Sequence, residues 1–222
     1  RADSQTARSP KRILGDVDYL VGTVSERQKK KKKGEVAQAI GLAYETLGQF
    51  KKAVESYQTA LVAKDGGATH KVLEKFANLS IRYVEEEVRQ MAERADKAKK
   101  LAEKKQVKGA AVKAPVVALS DKHKADLAQA QVLLERLVDE CGEGDPRLSD
   151  RLSLLASAYK RQALIGWSLR QQDQALAALK KMREVSQRAS EAARASKSQT
   201  IFYPRLNEVV AHVSIHATQK NA

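Results

Sequence analysis

The chain has 222 residues, with 41 Lys plus Arg against 27 Asp plus Glu, a formal charge of +14, 5% aromatics and one cysteine, Cys141. One cysteine excludes a disulfide framework and a multi-cysteine zinc site. No uncharged run is long enough to span a bilayer, and no apolar stretch follows the basic N-terminus as a secretory signal requires, so the cytoplasm is the expected compartment. Arg1 stands where an initiator Met would be, which suggests a piece of a longer protein. The charge is uneven: +6 over 1–34, −1 over 35–66, +5 over 67–120, −4 over 121–146 and +8 over 147–222.

Ala, Leu, Glu, Lys, Gln and Arg abound and alternating β-branched residues are scarce, which predicts an all-α chain. In chain order, a first helix is expected over 10–28, followed by a basic connection, Lys29 to Lys33, that ends at Gly34. A run of lysines is either a solvated tip or a site for an anionic partner. Two helices over 35–47 and 50–63 break at Gly48, and Gly66-Gly67 closes that pair. From Thr69 a long helix runs to Lys105, with Leu73, Phe76, Leu79, Tyr83 and Val84 at helical spacing in its first half. The half from Ala92 has little to bury and should project into solvent or pack on something outside this chain. Residues 107–120 read as a loop, after which Ser120 or Asp121 can cap a helix to Cys141. CGEGDP is a turn, helices follow over 146–171 and 173–195, and a last one runs from Tyr203 to near Ala217. The expected organisation is an N-terminal helix and basic connection over 1–34, a repeat domain over 35–217 with a loop insertion at about 107–120, and a tail over 218–222.

The segment EVAQAIGLAYETLGQFKKAVESYQTAL over 35–61 resembles a tetratricopeptide repeat, whose period is about 34 residues. Gly41, Tyr44, Ala53, Tyr57 and Ala60 fall on its small and aromatic positions, and Leu47-Gly48 falls at its inter-helix turn. Small residues let two helices approach, and large ones fill the gaps between pairs. Later units are degenerate. Leu73, Phe76 and Ala77 match a second first-helix, whose partner is delayed to Ala130, Leu134 and Leu137. Leu152, Leu155, Ala156 and Tyr159, then Ala175, Leu179 and Met182, match a third, with seven extra residues, about two helical turns, that lengthen both helices. Tyr203 and Leu206 would open a fourth. The resemblance implies an antiparallel helix-pair solenoid with lengthened, degenerate repeats; an unrelated helical bundle is the alternative, since heptads produce similar spacing. RLSLLASAYKRQALIG, after LLERLVDE, is also similar to segments of bacterial tetratricopeptide proteins that carry caspase-like (CHAT-type) peptidase domains.

Residues able to carry catalysis or hold a metal form no complete constellation in the sequence. Cys141 lies among Asp139, Glu140 and Glu143, which would raise a thiol pKa, the opposite of what a nucleophile needs. His212 and His216 share a helix face, but the Glu of an HEXXH motif is missing and no third ligand is evident. His70 and His123 sit among charges and read as solvated. There is no phosphate-binding glycine loop and no RNA-recognition, zinc-finger or helix-turn-helix signature. Trp167 and Tyr159, with Leu164 and Leu169, read as core packing, against an aromatic ligand cage. No enzyme activity, cofactor or metal is therefore expected of this chain itself.

A tetratricopeptide solenoid lines its concave groove with first-helix residues, and the resemblance carries that role to Glu35, Gln38, Leu42, Glu45 and Thr46, then Glu74, Asn78, Ile81 and Arg82, then Asp150, Ser153, Ser157, Lys160 and Arg161. Asn78 can both donate to and accept from a peptide backbone, and Lys160 and Arg161 can hold an acidic side chain or a C-terminal carboxylate. The other reading of each is a solvated helix face. The chaperone-binding carboxylate clamp of that family requires Lys and Asn where this chain has Gln38 and Leu42. The leading expectation is a protein- or peptide-binding scaffold with an acidic partner. The alternatives are a regulatory arm of a caspase-like protease and binding to nucleic acid or another polyanion. Association through exposed solenoid ends is also expected, and no membrane.

Overall fold

The computed structural model describes residues 10–28, 33–63, 68–105, 117–196 and 202–220. Strong helix formers fill these stretches, and they form α1 (Pro10–Gln28), α2 (Lys33–Thr46), α3 (Phe50–Val62), α4 (His70–Lys105), α5 (Asp121–Asp139), α6 (Leu148–Ser168), α7 (Gln172–Ala195) and α8 (Phe202–Lys220). No strand occurs among the described residues. The last helix continues past Ala217 to Lys220, where a tail is expected. Lys29 to residue 32, Gly66-Gly67 and residues 107–116 of the expected loop lie outside the described residues, while Lys33 opens α2. Two compact units divide between Leu79 and Ser80, inside α4.

In the first unit, α2 and α3 form a hairpin whose contact is made by small residues facing a large one. A Cβ added to Gly41 would lie 3.1 Å from the Tyr57 ring, so glycine is what lets the ring seat against α2. Ala53 and Ala60 flank Tyr57 along α3, and all three are buried. Full burial of a side chain of that size contributes roughly 2–3 kcal/mol. The first helix packs on α2, tied by Asp18, whose Oδ1 accepts from Tyr44 Oη at 2.7 Å and from Lys52 Nζ at 2.8 Å.

The turn that closes α2–α3 satisfies the carbonyls that a helix end leaves open. Gln49 N–H donates to Tyr44 C=O at 2.8 Å and Gly48 N–H to Glu45 C=O at 3.0 Å, with Gly48 left-handed at φ 68°. The turn between α6 and α7 repeats it: Gln171 N–H donates to Gly166 C=O at 2.8 Å and Arg170 N–H to Trp167 C=O at 3.0 Å, with Arg170 at φ 60° in glycine's place. Aligned on these turns, Gly41 stands level with Ala163, Tyr57 with Leu179 and Ala60 with Met182. The seven extra residues of the third unit therefore lie in α6, before the turn, rather than being shared between both helices. A Cβ on Gly166 would meet the Ala175 backbone nitrogen at 3.0 Å, so this hairpin too closes on a glycine.

In the second unit, α6 packs on α5 and α7, and α8 packs on α7 and touches α6. Leu134 and Leu137 of α5, Leu152 and Leu155 of α6, and Leu179, Met182 and Ala189 of α7 are buried. Ser120 caps α5 as the sequence suggests, its side chain accepting from His123 N–H at 3.2 Å. The other end of α5 is closed by buried Arg151, whose Nη1 donates to Leu137 C=O at 2.7 Å. On α8 the buried face is Pro204, Asn207, Ala211 and Ile215. Tyr203 and Leu206, the residues expected to open a fourth core layer, are exposed. The buried face is displaced by one residue because α8 is apolar on two sides, and spacing alone does not say which side is covered.

Candidate functional site

The fourteen groove residues expected from the sequence divide seven and seven between the two units. In the first unit Gln38, Glu45, Glu74 and Asn78 are half-buried and Leu42 is exposed. Glu45 is already engaged: it accepts from Lys75 Nζ at 2.7 Å and from Tyr57 Oη at 3.2 Å, so α2, α3 and α4 meet at its carboxylate. Burial, then the Glu45 charge, pushes the Tyr57 phenol well above its ordinary range. In the second unit Arg82, Ser153 and Ser157 are half-buried and Lys160 is exposed. Arg161 holds the carboxylate of Glu85 in an ion pair. One of the two cations expected to receive a ligand's carboxylate thus has an internal one.

At 100° per residue, Ser153, Ser157, Lys160 and Arg161 occupy one side of α6, and Leu155, Tyr159, Gln162 and Gly166 occupy the opposite side. That opposite side is the floor of a groove between α5 and α7. Two neighbouring cavities of about 310 and 330 Å³ open along it. The first is bounded by Leu119 and Leu127 on one side and by Gln171, Gln174 and Lys181 on the other. The second has Glu135 and Asp139 on the α5 wall and Lys181, Glu184 and Arg188 on the α7 wall. Lys181 borders both.

The groove floor is a polar network that links α5 to α6. Tyr159 Oη donates to Glu135 Oε1 at 3.0 Å, Gln131 Nε2 donates to the same oxygen at 2.8 Å, and Gln162 Nε2 donates to Gln131 Oε1 at 2.9 Å. Burial, and then the bond to Glu135, pushes the Tyr159 phenol up to about 12. Lys181 Nζ stands 5.5 Å from the centre of the Tyr159 ring, within cation–π range. The arrangement offers amides that donate and accept, a carboxylate wall and cations opposite it. Gln171 and Gln174, which follow the hairpin turn, had a legible signal in the glutamine cluster RQQDQ, whereas Glu135 and Lys181 carry none beyond ordinary helix-face charge.

Other residues singled out in the sequence stand differently from expectation. Cys141 is not governed by acids alone: Arg151 Nη1 lies 3.3 Å from its Sγ, and Glu140 is paired with Arg136. His123 is not solvated but packs edge-on to Tyr83, ring centres 6.4 Å apart. His212 and His216 stack edge to face at 4.7 Å, and among the described residues no group of three His, Cys, Asp or Glu is placed to hold a metal. Trp167 is no core residue: 36% exposed, it borders a cavity of about 620 Å³ with Arg89, Ala92, Asp96, Val117 and Arg170. No helix among the described residues is long and apolar enough to cross a membrane. No protein-family model matches the chain, and no curated protein or solved structure matches it.

Proposed function

We propose that the chain is a helical-repeat interaction module, built of helix pairs of the tetratricopeptide kind, and that its second unit takes an acidic segment of a partner protein in the groove over α6. The groove itself carries this reading: two adjoining cavities with a shared lysine, amides on the floor and turn, and an α7 wall on which Lys181 and Arg188 flank Glu184. Carboxylates of the ligand would meet Lys181 and Arg188, whose charges are exposed, while Gln162 and Gln174 would bond the ligand's backbone. The hairpins α2–α3 and α6–α7, closed by the same turn, support the repeat reading.

The test is selection of binding peptides from a displayed library, followed by affinity measurement on variants. Lys181→Glu together with Arg188→Glu is expected to weaken a selected acidic peptide by about 10-fold or more. Lys160→Glu, on the opposite side of α6, is expected to leave it unchanged. The reverse pattern would move the site to the Ser153–Arg161 side, and indifference to both changes would reject the groove.

A further inference from the structure

The outward face of α8 carries Phe202, Leu206, Val209 and Val213, spaced four, three and four residues apart, with Tyr203 and Val210 beside them. All six are exposed, Phe202 at 73% and Val213 at 60%. The opposite face, Pro204, Asn207, Ala211 and Ile215, is already buried in the second unit. A helix apolar on two opposite sides is built to pack twice. The exposed face amounts to roughly 500 Å², near the upper end of what a monomer shows as one patch.

We propose that this face pairs with the same face of a second copy, the two α8 helices antiparallel about a two-fold axis midway between Asn207 and Glu208. Spacing and size both favour a self-complementary pair. The four–three–four interval is that of a coiled-coil seam and reads the same in either direction. In the antiparallel register Phe202 faces Val213 of the second copy and Leu206 faces Val209, so every layer sets a large side chain against a small one. A parallel pair would set Phe on Phe and Val on Val, leaving one layer crowded and two thin. Arg205, Glu208 and His212 lie to one side of the seam and stay at its wet edge, so no charge is buried. Two such faces remove about 1,000 Å², the lower bound for a specific interface. The interface is separate from the α6 groove and does not depend on it.

Sedimentation equilibrium of the 222-residue chain between about 1 and 100 µM tests the pairing. The expected result is a particle of twice 24.5 kDa at the upper concentrations. Val209→Glu, which places like charges beside the axis, is expected to weaken the dimer about 100-fold or more, while Gln219→Glu on the polar edge leaves it intact. A chain that stays monomeric throughout overturns the proposal, and so does a dimer indifferent to Val209→Glu. Direction is read by oxidation in a Cys141→Ser background. Phe202→Cys chains mixed with Val213→Cys chains should cross-link to each other. Cross-linking of either variant with itself instead would overturn the antiparallel register.

Discussion

Two residues in equivalent places, Gly48 and Arg170, do the same backbone work at different cost. Both hold the left-handed position of a helix-ending turn, at φ 68° and 60°. Glycine has no Cβ to clash with the following carbonyl, whereas an L side chain in that conformation costs roughly 1 kcal/mol or more. Arg170 recovers little of it, since its contact with Asp96 is 3.5 Å long and exposed pairs are worth under about 1 kcal/mol. Arg170→Gly is therefore expected to stabilise the second unit, less the entropy that glycine adds to the unfolded chain, for a net gain of about 0.5 kcal/mol. Gly48→Ala runs the other way, at about 1 kcal/mol of destabilisation. Thermal unfolding followed by circular dichroism reads both signs; an unchanged or lower melting temperature for Arg170→Gly would mean that the turn is not strained.

Among the elements, α1 is tied to α2 and α3 through one carboxylate, Asp18, and that makes its docking depend on pH. Hydrogen bonds from Lys52 and then Tyr44 hold the Asp18 carboxyl below its ordinary 3.8. A lowered carboxylate stabilises above its unfolded value, and that contribution is lost as the pH falls from about 3.8 through the lowered one. Burial, then the bond to Asp18, pushes the Tyr44 phenol from 10.0 up to about 12. A raised phenol stabilises below 10, and its contribution is lost as the pH climbs from there toward 12. Hydrogen exchange of the α1 amides is expected to show strongest protection between about pH 4 and 10, and Asp18→Asn should remove the acid limb. Equal protection of the wild-type helix at pH 6 and pH 2 would show that the tie contributes nothing. The helices themselves are legible from residue pattern: α1 has the predicted bounds, α4 ends at the predicted Lys105 and Ser120 caps α5. So are the small–large contacts of α2–α3, because Gly41, Tyr57 and Ala60 fall together on the small and aromatic positions of the repeat that the segment resembles. What spacing does not supply is the choice between two apolar faces, as on α8, or between two polar ones, as on α6. Nor does it reveal a non-glycine in a left-handed turn: Arg170 follows Leu169 in the sequence as any helix-surface arginine would. Those choices are made by neighbours far along the chain.

For the molecule as a whole, +14 on 222 residues is a self-repulsion that no local motif discloses. It is uneven, with +6 over 1–34 and +8 over 147–222, and Lys180, Arg183, Arg188 and Arg194 of α7 are all exposed. The ion pairs along single helices oppose it only weakly. Arg89 with Glu86 and Glu93, Lys99 with Glu103, Lys124 with Asp121 and Arg136 with Glu140 are all one turn apart on their own helices. Pairs of this kind contribute about 0.3–0.5 kcal/mol each, and salt weakens them. Salt also screens the net repulsion, with a Debye length that falls from about 30 Å at 0.01 M to about 8 Å at 0.15 M. Repulsion among fourteen excess charges acts over the longer of those distances and the one-turn pairs over much less, so screening removes more repulsion than attraction. The melting temperature is therefore expected to rise between 0.01 and 0.15 M sodium chloride. A fall would mean that the one-turn pairs and Arg161–Glu85 outweigh the net charge. Under the proposed function the same positive field steers an acidic segment toward Lys181 and Arg188, so over that salt range peptide association should slow while the protein itself grows more stable. Opposite movement of the two quantities in one titration separates screening of the protein's own charge from a general effect of salt on folding.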